Sequence, residues 1–170
     1  MIECSVFGYL MEVDCICNHL KLHKRTDKTV SEAVYSNGTN VLLVSKEDDG
    51  IYLSSRGPPD RNKNRMSFCS RVQKSRIRTL DTLKEFLSSF GFELVREGQV
   101  ELTTFEKGAG RIEISRSISD EGNSQEVDTG RYWLVKVFVT SENTQNGERM
   151  LSRLIEELED QVQLIKPSIK

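Results

Sequence analysis

Residues 79–118, TLDTLKEFLSSFGFELVREGQVELTTFEKGAGRIEISRSI, decide the fold of this chain. Thr79 is placed to cap a helix by accepting a hydrogen bond from a free backbone N–H. The apolar residues that follow recur every three or four positions and predict one buried stripe, made of Leu80, Leu83, Phe86, Leu87 and Phe90. Gly91 ends the helix because glycine readily adopts a left-handed conformation, and two strand-like runs then flank a glycine turn at 107–110. This stretch predicts a helix packed across antiparallel strands and carries no recognisable catalytic motif. It therefore indicates a protein that functions by binding partners at its surface.

Length and charge narrow the class of protein. The 170 residues fit a single barrel domain, 1–170, that is long enough to bury a core without disulfides or metal. We expect flexible loops near 56–65 and 119–130, where turn-forming and polar residues cluster. A net charge of -2 does not indicate a nucleic-acid or membrane binder over the whole molecule. No apolar run approaches the roughly 18 residues of a membrane span, and the N-terminus lacks a secretory pattern, so we expect an intracellular protein.

The order of the elements predicts an α+β fold. The chain reads as a strand, a helix, several strands, a helix, several strands and a final helix. Short turns join most of the strands, which favours antiparallel pairing. Closing seven or eight such strands into a barrel would remove exposed edges. The sequence therefore predicts a largely antiparallel closed β-barrel flanked by two or three α-helices.

Two C-terminal segments give the clearest secondary-structure signals. Residues 132–140, YWLVKVFVT, are mostly apolar on both faces apart from Lys136, which predicts a central strand covered on both sides. A helix follows, whose apolar residues have helical spacing: Met150, Leu151, Leu154, Ile155, Leu158 and Val162. Pro167 prevents any extension of this helix.

The cysteines and histidines do not form a metal-binding pattern. Cys15 and Cys17 are separated by one residue, whereas zinc ligands are usually separated by two to four. His19 and His23 are four apart and could share a helix face, but both cysteines would not join them. We therefore predict ordinary reduced thiols, no metal and no cofactor.

Three segments make the chain resemble the family of Mediator complex subunit 18. Residues 83–87 (LKEFL) lead into 90–94 (FGFEL), similar to the family's helix that ends in an aromatic residue or methionine, followed by glycine and an aromatic residue. Residues 105–114 resemble its strand, Lys-Gly turn and second short strand. The C-terminal helix and residues 162–168 (VQLIKPS) are similar to its closing V-x-L-x-K segment, and Arg71 lies where the family tends to place an arginine. These matches cover about the C-terminal two-thirds of the chain.

The resemblance implies both a fold and a function. The fold would be a barrel of swapped hairpins, related to the triphosphate tunnel enzymes but without catalysis. The function would be that of a non-catalytic subunit of the Mediator head module, a protein–protein scaffold in RNA polymerase II transcription in the nucleus. The resemblance also implies a heterodimer with Mediator subunit 20 and binding of the C-terminal helix of Mediator subunit 8.

We expect the partner contacts on the C-terminal helix, on the tail that follows it and on the basic segment ahead of the middle helix. The C-terminal helix carries more apolar positions than a minimal buried stripe, so part of it would be free for a partner helix. All of these apolar residues could equally pack on the barrel. The basic residues would meet an acidic partner surface. The candidate residues are Met150, Leu154, Leu158, Leu164, Ile165, Arg71 and Arg76.

A tunnel-fold phosphohydrolase acting on triphosphates is the alternative that involves catalysis. It would need several inward glutamates to hold a divalent metal, with Lys and Arg on the phosphates. An E-x-E-x-K signature is missing from the first strand, which has Glu3 and no second glutamate, and Glu113 is followed two positions later by Ser115. Glu101 and Glu113 could face each other across a hairpin, but two carboxylates do not make a metal cage. The sequence therefore argues against an enzyme.

A nucleic-acid-binding module is the second alternative, and it would use residues 56–78. This segment holds eight Lys or Arg residues and one acid, Asp60, so it could contact phosphates. It has one aromatic residue, Phe68, which argues against a stacking platform. No known nucleic-acid-binding motif is present, so we expect a solvated loop or a protein-docking patch. We expect no specific nucleic-acid binding and no membrane binding.

Overall fold

The alternating runs of the sequence form the strands of an antiparallel barrel. The computed structural model describes residues 1–118 and 132–167, which contain eight strands and three helices. The strands are β1 (Ile2–Leu10), β2 (Lys24–Ser36), β3 (Val41–Glu47), β4 (Gly50–Arg56), β5 (Phe68–Ile77), β6 (Glu93–Lys107), β7 (Gly110–Ile118) and β8 (Trp133–Ser141). The helices are α1 (Asp14–His19), α2 (Leu80–Ser89) and α3 (Thr144–Leu158).

The sheet closes on itself in the order β1-β5-β4-β3-β2-β6-β7-β8, and all of these pairings are antiparallel. β1 closes the barrel, because it pairs with β8 along its length and with β5 over residues 2–5. Gly108 takes a left-handed φ of +59° in the tight turn between β6 and β7, as its position in the sequence predicts. The predicted antiparallel closed barrel with flanking helices is confirmed.

The hydrophobic core lies between the outer face of the barrel and the helices. Along each strand, alternate side chains point outward and inward. Outward residues of β1, β7 and β8 pack with α1 and α3, and the almost completely buried members of this cluster are Cys4, Ile16, Leu20, Phe105, Ile112, Ile114, Val135, Val137, Val139, Leu151 and Leu158. A smaller cluster lies under α2 and contains Tyr35, Val44, Leu83 and Leu87.

α3 packs closely against the barrel. Asn143 caps it, because its Oδ1 accepts a hydrogen bond of 2.9 Å from the N–H of Asn146. Gly147 lies so close to Cys4 of β1 that an added Cβ would be 2.7 Å from the sulfur atom. A glycine at this position therefore lets the first turn of α3 approach the sheet.

α2 differs from the predicted one-sided helix. Leu83 and Leu87 are buried, and Gly91, with a φ of +72°, follows the end of the helix as predicted. The sequence predicts Phe86 and Phe90 in the same buried stripe, but they are 55% and 62% exposed. The apolar face of α2 is wider than the part of the barrel that the helix covers. Phe86 and Phe90 therefore extend beyond the contact with the barrel.

The start of α2 also differs in detail from the prediction. Thr79 is the N-cap residue of α2, but its Oγ1 hydrogen bonds to Oγ1 of Thr82 at 3.3 Å instead of to a backbone N–H. α1 is a short helix that begins at Asp14 and ends at His19. None of the helices in the described part of the chain is long and apolar enough to cross a membrane.

Candidate functional site

The inside of the barrel is a tunnel lined by both charged and apolar side chains. Its volume is about 1690 Å³. All eight strands contribute an inward charge: the carboxylates are Glu3, Glu32, Glu47 and Glu113, and the cations include Arg56, Lys74, Arg96, Arg111 and Lys136. Barrel closure brings these alternate residues of distant strands into one lumen.

Glu3 is the most buried charge of the tunnel. Its side chain is 5% exposed and lies 2.7 Å from Nη1 of Arg56 and 3.2 Å from Nζ of Lys136. The Lys136 ammonium also lies 3.6 Å from Glu113 and over the ring of Phe138, at 3.9 Å from the centroid. Both carboxylates in this group are therefore neutralised by cations of the same chain.

Glu47 forms a second neutralised group at the other side of the tunnel. It pairs with Lys28 and, at 2.9 Å, with Nζ of Lys74. Burial alone would raise the pKa of Glu47, but the hydrogen bonds from the two lysines outweigh burial and hold the pKa below its usual range. The carboxylate is therefore charged and engaged with both lysines.

Glu32 differs from the other inward carboxylates. Burial raises the pKa of Glu32, and the nearby Glu113 and Glu47 raise it further, while Arg96 acts in the opposite direction. Among the described residues, no side chain forms a hydrogen bond or an ion pair with Glu32. Its negative charge is the least compensated in the tunnel.

Two of the four inward carboxylates, Glu32 and Glu47, were missed from the sequence. Each alternates with other inward residues of its strand, and this period-two pattern was the available signal. The suggestion that Glu101 and Glu113 could face each other is wrong. Glu101 is paired in register with Arg116, and the two side chains form an ion pair of 2.7 Å, while Glu113 points into the tunnel.

Two of the four thiols are buried, and the other two are exposed or partly exposed. Within the described ranges, no group of three or more His, Cys, Asp and Glu side chains is arranged to hold a metal ion. Cys4 and Cys69 are opposite each other in β1 and β5, with their sulfur atoms 3.4 Å apart. Burial, together with the hydrogen bond to Cys69, raises the pKa of the Cys4 thiol to about 12, so this thiol stays protonated at neutral pH.

The predicted contact residues of α3 fall into two classes. Leu154 and Leu158 are buried in the cluster between α3 and the barrel, so their side chains are part of the core and do not form an exposed surface. Met150 is half-buried and lines a hollow of about 270 Å³ between α3 and the β6–β7 hairpin. Met150 therefore remains accessible at the surface, whereas the two leucines hold the helix in place.

The tail after α3 is fixed to β1 beyond the point where β5 leaves it. The N–H of Phe7 donates to the carbonyl of Ile165 at 2.9 Å, and the N–H of Ile165 donates back at 2.8 Å. Leu164 packs on the core, while the Ile165 side chain is 55% exposed. An added Cβ at Gly8 would lie 2.7 Å from the carbonyl of Gln163, so glycine permits this close approach. The tail thus presents Ile165 on an ordered backbone.

The basic segment is partly neutralised within the chain. Arg56, Arg65 and Lys74 pair with carboxylates, and the Arg76 guanidinium donates to the carbonyl of Asp49. The other four basic residues of 56–78 are exposed: Arg61, Lys63, Arg71 and Arg78. Of the two predicted contact residues, Arg71 therefore has a freer side chain than Arg76.

The segment that connects β4 to β5 is bound to α3 and the tail. Arg65 pairs with Asp60 at 3.0 Å and with Glu148 of α3 at 3.1 Å. Lys166 donates to the carbonyls of Asn62 and Arg65 at 3.3 and 3.0 Å. The segment 56–65, where the sequence predicts a flexible loop, makes these contacts, and the other predicted loop, 119–130, lies outside the described residues.

Comparison with known proteins identifies a family. The family model described as Med18 protein matches residues 16–168, about nine-tenths of the chain. The match includes most of α1 and all of β2, which the resemblance of the C-terminal segments did not cover. No curated protein matches the chain.

Solved structures share the fold at low sequence identity. A chain of the Schizosaccharomyces pombe Mediator head module is 12% identical, with a TM-score of 0.76, over 99% of this chain and 100% of that chain. The PH1819 protein from Pyrococcus horikoshii is 14% identical, with a TM-score of 0.68, over 98% and 94%. A Hippeastrum protein described as having a dominant triphosphatase activity is 7% identical, with a TM-score of 0.57, over 99% and 91%. At these identities the likeness shows a common barrel fold.

Proposed function

The chain belongs to the Med18 family, and on this premise we propose that it is a non-catalytic subunit of the Mediator head module. In this role it is a protein–protein scaffold in RNA polymerase II transcription and acts in the nucleus. We propose Mediator subunit 20 as its heterodimer partner and the C-terminal helix of Mediator subunit 8 as a further ligand. The observation that carries the proposal is the family match over 16–168.

The charges of the tunnel support a role without catalysis. A divalent metal needs several carboxylates free to coordinate it, and a phosphate needs unpaired cations. In this tunnel Glu3, Glu47 and Glu113 are each within 4 Å of a lysine or arginine. A triphosphate with its metal would have to break these ion pairs, at a free-energy cost that its own contacts must offset.

The surfaces proposed for the partners are the accessible parts of α3, the tail and the basic segment. Met150 and Ile165 offer apolar area next to ordered backbone, and Arg71 offers an exposed charge. Leu154, Leu158 and Leu164 would act indirectly, since they hold α3 and the tail on the barrel. Arg76 would contribute only if its hydrogen bond to the Asp49 carbonyl opens.

Co-expression tests the proposal. The chain is co-purified with Mediator subunit 20 and the subunit 8 helix, and the mass of the product is measured by size exclusion with light scattering. We expect a stoichiometric complex with a higher melting temperature than the chain alone, because binding stabilises the folded state. Ile165→Asp should weaken the complex, while Leu22→Asp, at an exposed position on the α1–β2 connection, is the matched control.

A folded monomer that forms no complex with these subunits would overturn the proposed partners. Phosphate release from inorganic triphosphate is measured on the same preparation with Mg²⁺ and with Mn²⁺. We expect no release above that of the buffer. Release that is lost in Glu3→Gln would overturn the non-catalytic assignment and favour the phosphohydrolase alternative.

A further inference from the structure

Two cysteines that are far apart in the sequence meet where the barrel closes. Cys4 of β1 and Cys69 of β5 are direct partners in the strand register, and their sulfur atoms lie 3.4 Å apart. Directly opposed residues of antiparallel strands have Cα atoms about 4.5–5.5 Å apart, which is within the range of about 4.4–6.8 Å that a disulfide bond spans. The backbone therefore already holds both thiols where rotation of the side chains can bring the sulfur atoms together.

The two cysteines lie at the seam of the barrel, which is the pairing of β1 with β5. This pairing covers four residues of each strand, whereas β1 pairs with β8 over nine. None of the other strand pairings in the described ranges is as short as the seam. Cys4 and Cys69 are 65 positions apart in the sequence, and a bond that closes a long loop restricts the unfolded chain strongly. A disulfide here would therefore hold the seam closed.

The first turn of α3 covers the two sulfur atoms. Cys4 and Cys69 are 0% and 2% exposed, and Gly147 of α3 lies directly against the Cys4 sulfur atom. On the other side, the hydroxyl of Ser67 lies 3.2 Å from the Cys69 sulfur atom and donates a hydrogen bond of 2.9 Å to Glu148 of α3. A small oxidant therefore reaches the pair through a local opening in which this turn leaves the sheet.

Protonation makes the covered pair slow to react. Burial, together with the hydrogen bond to Cys69, raises the pKa of the Cys4 thiol to about 12, and the thiolate is the form that attacks an oxidant. An opening that admits water removes the effect of burial and lowers this pKa towards its ordinary value. The same movement of α3 therefore exposes the sulfur atom and favours its reactive form.

We propose that Cys4 and Cys69 are a modification site, a dithiol that a peroxide oxidises to a disulfide, with the first turn of α3 as its gate. One thiolate attacks an oxygen atom of hydrogen peroxide, the O–O bond breaks, and a sulfenic acid and hydroxide form. The second sulfur atom attacks the sulfenic sulfur, the S–S bond forms, and a second hydroxide leaves. The two thiol protons convert both hydroxides into water, so the thiols lose two electrons and the peroxide gains them.

This proposal rests on the cysteine pair and on α3, and it is tested on the isolated chain. The background variant Cys15→Ser, Cys17→Ser leaves Cys4 and Cys69 as the only thiols. The folded protein is incubated with hydrogen peroxide, catalase removes the peroxide, and N-ethylmaleimide in denaturant blocks every remaining thiol. Intact mass should show a monomer that has lost two hydrogen atoms and carries no maleimide, and a thiol reductant should reverse this. The oxidised monomer should melt at a higher temperature than the reduced one.

Two variants of α3 in the same background test the gate. Glu148→Ala removes the acceptor of the Ser67 hydroxyl and an ion-pair partner of Arg65, so the first turn of α3 should open more often. We expect oxidation to become about tenfold faster, the factor that corresponds to the loss of one hydrogen bond to a charged group. Glu156→Ala, the same substitution at an exposed position of α3, is the matched control and should leave the rate unchanged. Urea well below the unfolding midpoint should accelerate oxidation without any substitution in α3.

Every other outcome overturns the proposal. If both thiols still take up maleimide at a peroxide concentration that fully oxidises free cysteine, the pair is not redox-active. A disulfide-linked dimer, or a sulfinic acid on one sulfur atom, would show that the two sulfur atoms do not join. An oxidised monomer that melts below the reduced one would show that the bond distorts the seam. Equal rates for Glu148→Ala and Glu156→Ala, with no acceleration by urea, would remove α3 as the gate.

Discussion

α2 and α3 lie on the same barrel, but they meet it in different ways. α3 buries Leu151, Leu154 and Leu158 against the barrel, and its residue Gly147 touches β1. α2 buries Leu83 and Leu87 and leaves its aromatic residues in solvent. Both helices have apolar residues at helical spacing, so spacing alone does not separate a helix that completes the core from one that leaves apolar surface free. The difference lies in how much of each stripe the barrel covers.

Truncating a core leucine of α3 should have the largest effect. Leu158 is completely buried, so Leu158→Ala removes contacts and leaves a cavity. We expect a loss of about 3 kcal/mol in the free energy of unfolding, measured by urea denaturation with an unchanged m-value. A loss below about 1 kcal/mol would mean that Leu158 contributes no more to stability than the exposed side chains of α2.

Breaking the buried ion pair of β1 should have the next largest effect. Glu3→Gln removes the negative charge between Arg56 and Lys136. We expect a loss of about 2 kcal/mol in the free energy of unfolding, because Lys136 keeps Glu113 and Arg56 is partly in solvent. Arg116→Gln breaks the ion pair with Glu101, in which both side chains are more than a third exposed, and is the matched control, with an expected loss of no more than about 1 kcal/mol. Equal losses would contradict the assignment of the tunnel pair as a buried interaction.

Removing the charge of Glu32, the least compensated in the tunnel, should have a smaller effect, and this effect should be stabilising. The folded-state pKa of Glu32 is raised above 4.5, so the folded state holds this proton more tightly than the unfolded state does. The charge of Glu32 therefore destabilises the fold increasingly as pH rises through the folded pKa. Glu32→Gln should stabilise the protein at pH 7, on the order of 1 kcal/mol, and the gain should vanish below the ordinary glutamate pKa.

Glu47→Gln is the control for this pH dependence. The folded-state pKa of Glu47 is lowered, so its charge stabilises the fold above the ordinary glutamate pKa, and this stability is lost as pH falls through the lowered value. Glu47→Gln should therefore destabilise the protein at pH 7. Unfolding curves of both variants across pH 3–8 check the two signs, and the same sign for both would contradict the pairing of the tunnel charges.

Truncating the exposed aromatic residues of α2 should have the smallest effect on stability. Phe90→Ala should change the free energy of unfolding by no more than about 0.5 kcal/mol, because this side chain is mostly in solvent. Urea denaturation beside Leu83→Ala, which truncates a buried residue of the same helix, provides the comparison. A loss for Phe90→Ala as large as that for Leu83→Ala would place both residues in the core and remove the evidence for a free surface.

The sequence predicted the barrel because its signals are local. The turn at 107–110 depends on glycine conformation, and the helix stop at Gly91 on a positive φ, so both could be placed correctly. The exposure of Phe86 and Phe90 could not be predicted, since it depends on how far the strands under α2 extend. The burial of Leu154 and Leu158 was left open for the same reason, and the structure decides it in favour of the core.

The arrangement of charges in the tunnel could not be predicted, because these charges meet only after the barrel closes. Glu3, Arg56 and Lys136 are on three strands that are far apart in the chain. Alternation indicates which residues share a face of their own strand, but it does not indicate which strands are neighbours. The search for glutamates spaced along one strand therefore found Glu3 and Glu113 and missed Glu32 and Glu47.

The central claim is that this barrel acts through its outer surfaces. Hydrogen exchange tests it most directly, measured on the chain alone and on its complex with Mediator subunit 20 and the subunit 8 helix. We predict that α3 and β8 exchange slowly in both states, and that new protection appears at the tail around Ile165 and near the exposed basic residues. Partner-induced protection confined to tunnel-lining strand segments, or no change in a confirmed complex, would contradict a scaffold that binds through these surfaces.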